Sequence, residues 1–243
     1  MAKPAKALLN RLIHGRHGNL TSLGDHYADM QKLLQGHTIT GLMDAGASDG
    51  RVTRKLLRAF PDASAYLFEP HPTYREKLGE YAKADNRIHP QFVALSDSEG
   101  ELTLNLNQQT GMTSIFETNK LSAELFPEGE SSQQPTTVPV TTIDIWREQN
   151  GNPPFEVMKF DLQAAELKAL QGASRTLTES TLMIYTEVFF NPLYEGGALF
   201  SQIDLLLREY GFSLFNIYKP KASEQGMLLW ANAVYVNTDK IKV

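Results

Sequence analysis

Cysteine is missing altogether from the 243 residues. Its absence removes disulfides, zinc–thiolate sites, iron–sulfur clusters and cysteine nucleophiles. No apolar run approaches the roughly 20 residues that cross a bilayer, so no stable membrane insertion is expected. An excess of basic charge is missing too: 23 Lys and Arg face 28 Asp and Glu, a formal net charge of −5. A general nucleic-acid binder carries the opposite balance, so no nucleic-acid partner is expected. What is present is an ordinary globular composition, 42% hydrophobic and 21% charged. The chain is long enough to bury a full core in one large domain with a short extension.

The first 38 residues read as a helical extension to a domain over 39–243. Lys3, Lys6, Arg11 and Arg16 are basic, and Leu8, Leu9, Leu12 and Ile13 recur at helical spacing. Asn10 and Arg11 break up the stretch of about 7–15 apolar residues that a secretory signal needs. A short amphipathic helix packed on the domain and a cytoplasmic location are the expectation.

From Ile39 strands and helices alternate. Apolar runs at 41–46, 64–69, 88–95, 156–161 and 182–187 read as core strands, and 213–218 and 227–236 as closing ones. Helical stripes follow most of them: Val52, Leu56, Leu57 and Phe60; Tyr74, Leu78 and Tyr81; Leu167, Leu170 and Leu177; Leu199 to Tyr210. Residues 101–106 alternate polar and apolar, and 111–116 and 136–143 are further strand candidates. Residues 119–134, polar with Pro127 and Gly129, read as a loop or lid. The order implies an α/β fold: a doubly wound, Rossmann-like sheet of about seven strands, with inserted antiparallel strands near the middle.

Such sheets bind ligands at the carboxyl ends of their strands. Those ends hold Asp44 and Gly46, Glu69, Ala94 to Asp97, Asp161 and Glu187. The first turn, Asp44-Ala45-Gly46-Ala47-Ser48-Asp49-Gly50, is D-x-G-x-x-x-G and lacks the third glycine of a dinucleotide turn. Asp44 and Asp49 set negative charge beside it, which disfavours a pyrophosphate and suits a cationic sulfonium. Glu69 stands 23 residues after Gly46, where an acid can accept both hydroxyls of a ribose. This combination fits S-adenosylmethionine better than a nicotinamide dinucleotide.

Six stretches then carry a family resemblance. They are DAGASDG at 44–50, YLFEPHPTYREKL at 66–78, ALSDSEGELTL at 94–104, TTIDIW at 141–146, MKFDLQAAELKALQGA at 158–173 and EVFFNPLYEGGALF at 187–200. Together, across roughly 40–236, the chain resembles the FkbM-type S-adenosylmethionine-dependent methyltransferases. The resemblance implies a class I methyltransferase fold and methylation of a hydroxyl on a small molecule or saccharide. Carried over by position, Asp44, Gly46, Ser48 and Gly50 would line the methionine end of the cofactor. Glu69 would hold its ribose, and Leu95, Ser96 and Asp97 would lie near its adenine. Ser48 stands where the family usually has Asn, and Ala164 where it usually has Gly.

A hydroxyl acceptor must lose a proton as it attacks. Asp161 is the expected base or positioning group, with Glu187 assisting. Glu166 follows in the first turns of the next helix, where acids complement the helix dipole. The three carboxylates could also hold Mg²⁺, but no metal is assigned. His71 reads as a residue at an exposed helix start, and Asn191, Tyr194 and Glu195 as candidates for touching the acceptor. Two alternatives stand beside methyl transfer: a nicotinamide-dependent oxidoreductase, disfavoured by the acids and the missing glycine, and a cofactor-binding protein without turnover.

Overall fold

The central strands have no polar face, the pattern of a parallel sheet covered on both sides. The computed structural model describes residues 24–106, 114, 116–125 and 134–242. Its strands are β1 (Gly41–Ala45), β2 (Ser64–Phe68), β3 (Ile88–Gln91), β4 (Ala94–Leu95), β5 (Gly100–Leu106), β6 (Gln134–Thr141), β7 (Val157–Phe160), β8 (Met183–Phe189), β9 (Phe212–Ala222) and β10 (Leu228–Asn237). Seven of them form one sheet in the order β3-β2-β1-β7-β8-β10-β9. β10 runs antiparallel to both its neighbours, and the other pairs are parallel. A smaller sheet, β4-β6-β5, lies in the middle of the chain. This is the doubly wound α/β sheet with inserted strands that the sequence predicts.

Alternation along each strand sorts side chains to two cores. Met43, Phe68, Met158 and Ile184 face α5 (Ile143–Gln149), α6 (Glu166–Gln171), α7 (Ser174–Glu179) and α8 (Phe200–Glu209). Leu42, Leu67, Val157 and Met183 face α1 (His26–Leu33), α2 (Arg51–Ala59) and α3 (Arg75–Ala84). α4 (Lys120–Leu125) falls between β5 and β6. No helix of the described residues is long and apolar enough to cross a membrane.

The structure differs from the sequence reading in four places. The strand expected over 88–95 divides: β3 joins the large sheet, and β4 pairs with β6 in the small one. The single helix expected after β7 is two, α6 and α7, separated at Gly172-Ala173. The strand expected over 136–143 ends at Thr141, where Thr142 caps α5 by accepting the Ile145 N–H at 3.0 Å. Of the 119–134 segment, 120–125 is helical and 126–133 lies outside the described residues. The extension over 1–38 is represented by α1, and residues 1–23 also lie outside them.

One pair breaks the apolar rule of the sheet. Asp44 and Lys159 are register partners on β1 and β7, on the face covered by α1–α3. Asp44 is fully buried and Lys159 nearly so, with Nζ 2.8 Å from Asp44 Oδ1. The ammonium also donates to the carbonyl oxygens of Ala45 (3.1 Å) and Gly46 (2.7 Å), while Thr53 Oγ1 donates to Asp44 Oδ2. The ammonium thus meets two carbonyl oxygens and the carboxylate, and the opposing charge holds Lys159 protonated despite its burial. Removing one member leaves an isolated buried charge. Lys159→Met should cost about 3–5 kcal/mol in urea denaturation, and adding Asp44→Leu should recover part of that loss. A single variant as stable as wild type would contradict this.

Candidate active site

The first turn is built by close approach. Gly46 has φ +72, and a Cβ there would lie 2.0 Å from the Asp161 carbonyl oxygen, so no larger residue fits. Its amide and that of Ala47 reach the Phe68 carbonyl at the end of β2, at 2.9 and 3.3 Å. Ser48 follows with φ +50, a left-handed conformation that Asn tolerates better than Ser. That conformation aims the Ser48 N–H at Glu69 Oε2, 2.7 Å away. The other oxygen, Oε1, accepts the His71 N–H at 2.9 Å. Two backbone donors thus fix a carboxylate that is only 7% exposed at the carboxyl end of β2. Burial raises its pKa, and these two amides partly offset the rise.

Glu69 sits in a cleft of about 110 Å³. Gly46 and Ser48 line it beside Asp161, Leu162 and Gln163, and Phe68, Val93, Leu95 and Leu104 give it an apolar slot. Pro70, His71 and Tyr74 contribute a rim that includes the one histidine of interest. His71 Nδ1 accepts the Thr73 N–H at 3.2 Å, and burial lowers its pKa, so it stands as a neutral imidazole.

Of the residues read from the sequence as binding a cofactor, Gly46, Ser48, Glu69 and Leu95 line this cleft. Four others do not. Asp44 is beneath it, with its carboxylate taken by Lys159 and Thr53. Gly50, at φ +72, caps α2 and packs against Leu78 and Tyr81. Ser96 turns to β6, its N–H on the Thr141 carbonyl, and its hydroxyl donates to Asp97. Asp97 is exposed and faces Lys168 at 3.6 Å. The charge argument at the turn also changes. Asp49 pairs outward with Arg51 and Lys77, at 2.8 and 3.2 Å, as Asp44 pairs inward. Among the described residues, the acids lining the cleft are Glu69 and Asp161.

At the ends of β7 and β8 and the start of α6 three carboxyls lie at graded depth. Asp161 lines the cleft. Glu187, on β8, stands behind it and does not line the cleft; the two are bridged by Gln163, whose Nε2 donates to Asp161 Oδ1 (2.9 Å) and Glu187 Oε2 (3.1 Å). Glu166 is wholly buried, with Oε1 accepting the Leu162 N–H at 2.6 Å and no partner for Oε2 among the described residues. Burial, reinforced by Asp161, pushes Glu166 up to about 7. Burial, then Asp161 and Glu166, push Glu187 well above the usual carboxylate range. Tyr194, one of the residues proposed to meet the acceptor, donates its hydroxyl to Gln163 Oε1 at 2.6 Å. Asn191 Nδ2 is taken by the Leu228 carbonyl, and the Glu195 amide by the Glu117 carbonyl. Among the described residues no three His, Asp or Glu side chains are grouped to hold a metal ion. Lys159 and Gln163 escaped the sequence reading; a lone lysine inside the run Val157-Met158-Lys159-Phe160 was the available signal for the first.

The folded chain binds the Glu166 proton more tightly than the unfolded chain does. This group therefore lowers stability as pH rises from about 4.5 to about 7. Glu166→Gln abolishes that titration. The wild-type-minus-variant difference in unfolding free energy should fall across this window by on the order of 3 kcal/mol, read by urea denaturation at stepped pH. A difference independent of pH would refute the assignment.

A family model described as the methyltransferase FkbM domain matches residues 44–214. A 2-O-methyltransferase, NoeI, of Sinorhizobium fredii is 27% identical over 162 residues, which cover 64% of this chain and 65% of that protein. The chain thus spans slightly less than two thirds of this curated relative. Among solved structures, the FkbM methyltransferase of Methylobacillus flagellatus aligns with a TM-score of 0.49 at 15% identity, over 82% of this chain and 44% of that one. An N1-methyltransferase of Burkholderia thailandensis, solved with S-adenosylhomocysteine, aligns at 0.43 and 12% identity over 98% and 91%. With the family model spanning β1 to the start of β9, the chain belongs to the FkbM methyltransferase domain family.

Proposed function

We propose that this chain is an S-adenosylmethionine-dependent O-methyltransferase whose acceptor is a hydroxyl of a small molecule or saccharide. The observation that carries the reading is the clamped carboxylate: Glu69, fixed by the Ser48 and His71 amides, at the mouth of an apolar slot. Membership of the family supports it, as does the name of the relative that methylates at a 2-O position.

The donor set fits the cofactor. Each Glu69 oxygen uses one lone pair on an amide and keeps another for a ribose hydroxyl. Phe68, Val93 and Leu95 offer a surface of the right chemistry for a purine, and the two acids of the cleft suit a cation. When bound, S-adenosylmethionine supplies a methyl group already activated on a sulfonium. The protein's share is then alignment and proton removal. Asp161 accepts the proton of the acceptor hydroxyl as its oxygen becomes nucleophilic. The tie through Gln163 keeps that carboxylate facing the cleft. The apolar wall excludes water, which would compete as acceptor. Domain limits follow the same reading: 39–243 forms the catalytic unit and 1–38 an appendage to it.

Isothermal titration with S-adenosylmethionine and S-adenosylhomocysteine tests the site. Wild type should bind both, and Glu69→Ala should bind roughly 10–100-fold more weakly, the worth of hydrogen bonds to a charged acceptor. Equal affinity in the variant would refute the ribose role. Asp161→Asn should bind S-adenosylhomocysteine like wild type and lose about 10²–10⁴-fold in kcat with an accepted sugar or phenol. Undiminished turnover would remove Asp161 as base.

A further inference from the structure

Gln163 is the point where four parts of the chain meet. It sits in the loop between β7 and α6 at φ +52, followed by Ala164 at φ +77. Two successive left-handed residues without glycine are strained. Surrounding bonds hold them there. Ser114 Oγ donates to the Gln163 carbonyl at 2.7 Å, and the Ala198 amide donates to the Ala164 carbonyl at 2.9 Å. The side-chain amide is equally constrained. Its carbonyl oxygen accepts the Tyr194 hydroxyl, and its nitrogen faces two carboxylates. A flipped amide would point oxygen at both acids and nitrogen at a hydroxyl donor, so only one orientation is satisfied. Burial pushes the Tyr194 phenol above its ordinary range, which keeps it a donor.

We propose that Gln163 is the positioning residue of the acceptor end, its amide tying Asp161 and Glu187 into one unit, satisfying the inner acid, Glu187, and holding Asp161 as the base at the cleft. The base role rests on the methyltransferase reading above; the tie itself does not. Two carboxylates on adjoining strand ends repel, and one neutral amide with two N–H groups is the smallest device that satisfies both without adding charge. Glu187 also meets Glu166 from α6 and, with opposite sign, Lys159 from β7. On β10 its register partner is the neutral Asn232, and among the described residues the phenols of Tyr185 and Tyr194 complete the charged and titratable surroundings. Loss of the Gln163 protons therefore removes a donor that favours ionised Glu187, and the inner proton is held more tightly. Conversion to Glu removes the donor and adds a like charge.

The test is a pH titration of the side-chain carboxyl carbons in protein labelled with ¹³C-Glu and ¹³C-Asp, with Glu187→Gln assigning the inner signal. In Gln163→Met and Gln163→Glu the Glu187 midpoint should rise by about one pH unit, and Tyr194→Phe, which frees the amide to rotate, should give a smaller rise. A purely structural role for Gln163 would lower stability and leave that midpoint in place. A Glu187 midpoint unmoved in every variant that folds, with S-adenosylhomocysteine still bound, would overturn the role of Gln163 alone. No binding of S-adenosylhomocysteine by wild type would overturn the base role together with the methyltransferase reading, whatever the titration shows.

Discussion

The site hangs on one buried cation. Lys159 projects from β7 into a face otherwise filled by Leu42, Leu67, Val157 and Tyr185, and its ammonium meets oxygens of β1 and the turn beyond it. A buried ion pair is a poor source of stability compared with an apolar pair. It is an effective source of position. By fixing the Ala45 and Gly46 carbonyls, Lys159 sets where the first turn leaves the sheet. The Gly46 bend then passes the Asp161 carbonyl with no room for a side chain, and the left-handed Ser48 delivers its amide to Glu69. One ammonium beneath the cleft thus determines the direction of a carboxylate within it.

The acids at this edge are chemically alike and physically different. Glu69 is buried but clamped by two amides, and Asp161 faces the cleft. Glu187 and Glu166 lie deeper, where burial first and the charge of neighbouring carboxyls second make each hold its proton longer. Environments that push neighbouring carboxyls apart in acidity are how one chain supplies distinct binding, basic and positioning groups. Asp44 and Asp49, by contrast, are neutralised by Lys159 and by Arg51 and Lys77. Negative charge at the cleft comes from the strand ends and not from the turn.

The alternating strands and helices were legible because parallel strands covered on both faces leave long apolar runs, and Gly46 and Glu69 were legible by their place at strand ends. What escaped was set by tertiary pairing. Nothing local says that Ala94-Leu95 leaves the large sheet for β6. The capping residue Thr142 and the first-turn Asp144 did mark α5, but the apolar residues around them also suit a strand. Period-two parity could have shown that Asp44 shares the face of Leu42, and Lys159 that of Val157, so that the two would meet under the sheet's helices. The role of Gln163 depends on residues 24 and 31 positions further along the chain, Glu187 and Tyr194, which no local pattern connects.

The central claim is that the Glu69 cleft holds an adenosyl group. A crystal structure grown with saturating S-adenosylhomocysteine tests it most directly. The account predicts ribose hydroxyls within hydrogen-bond distance of Glu69, the purine between Phe68 and Leu95, and the sulfur on the Asp161 side. A nucleoside bound elsewhere on the chain, or a cleft left empty at saturation, would contradict it.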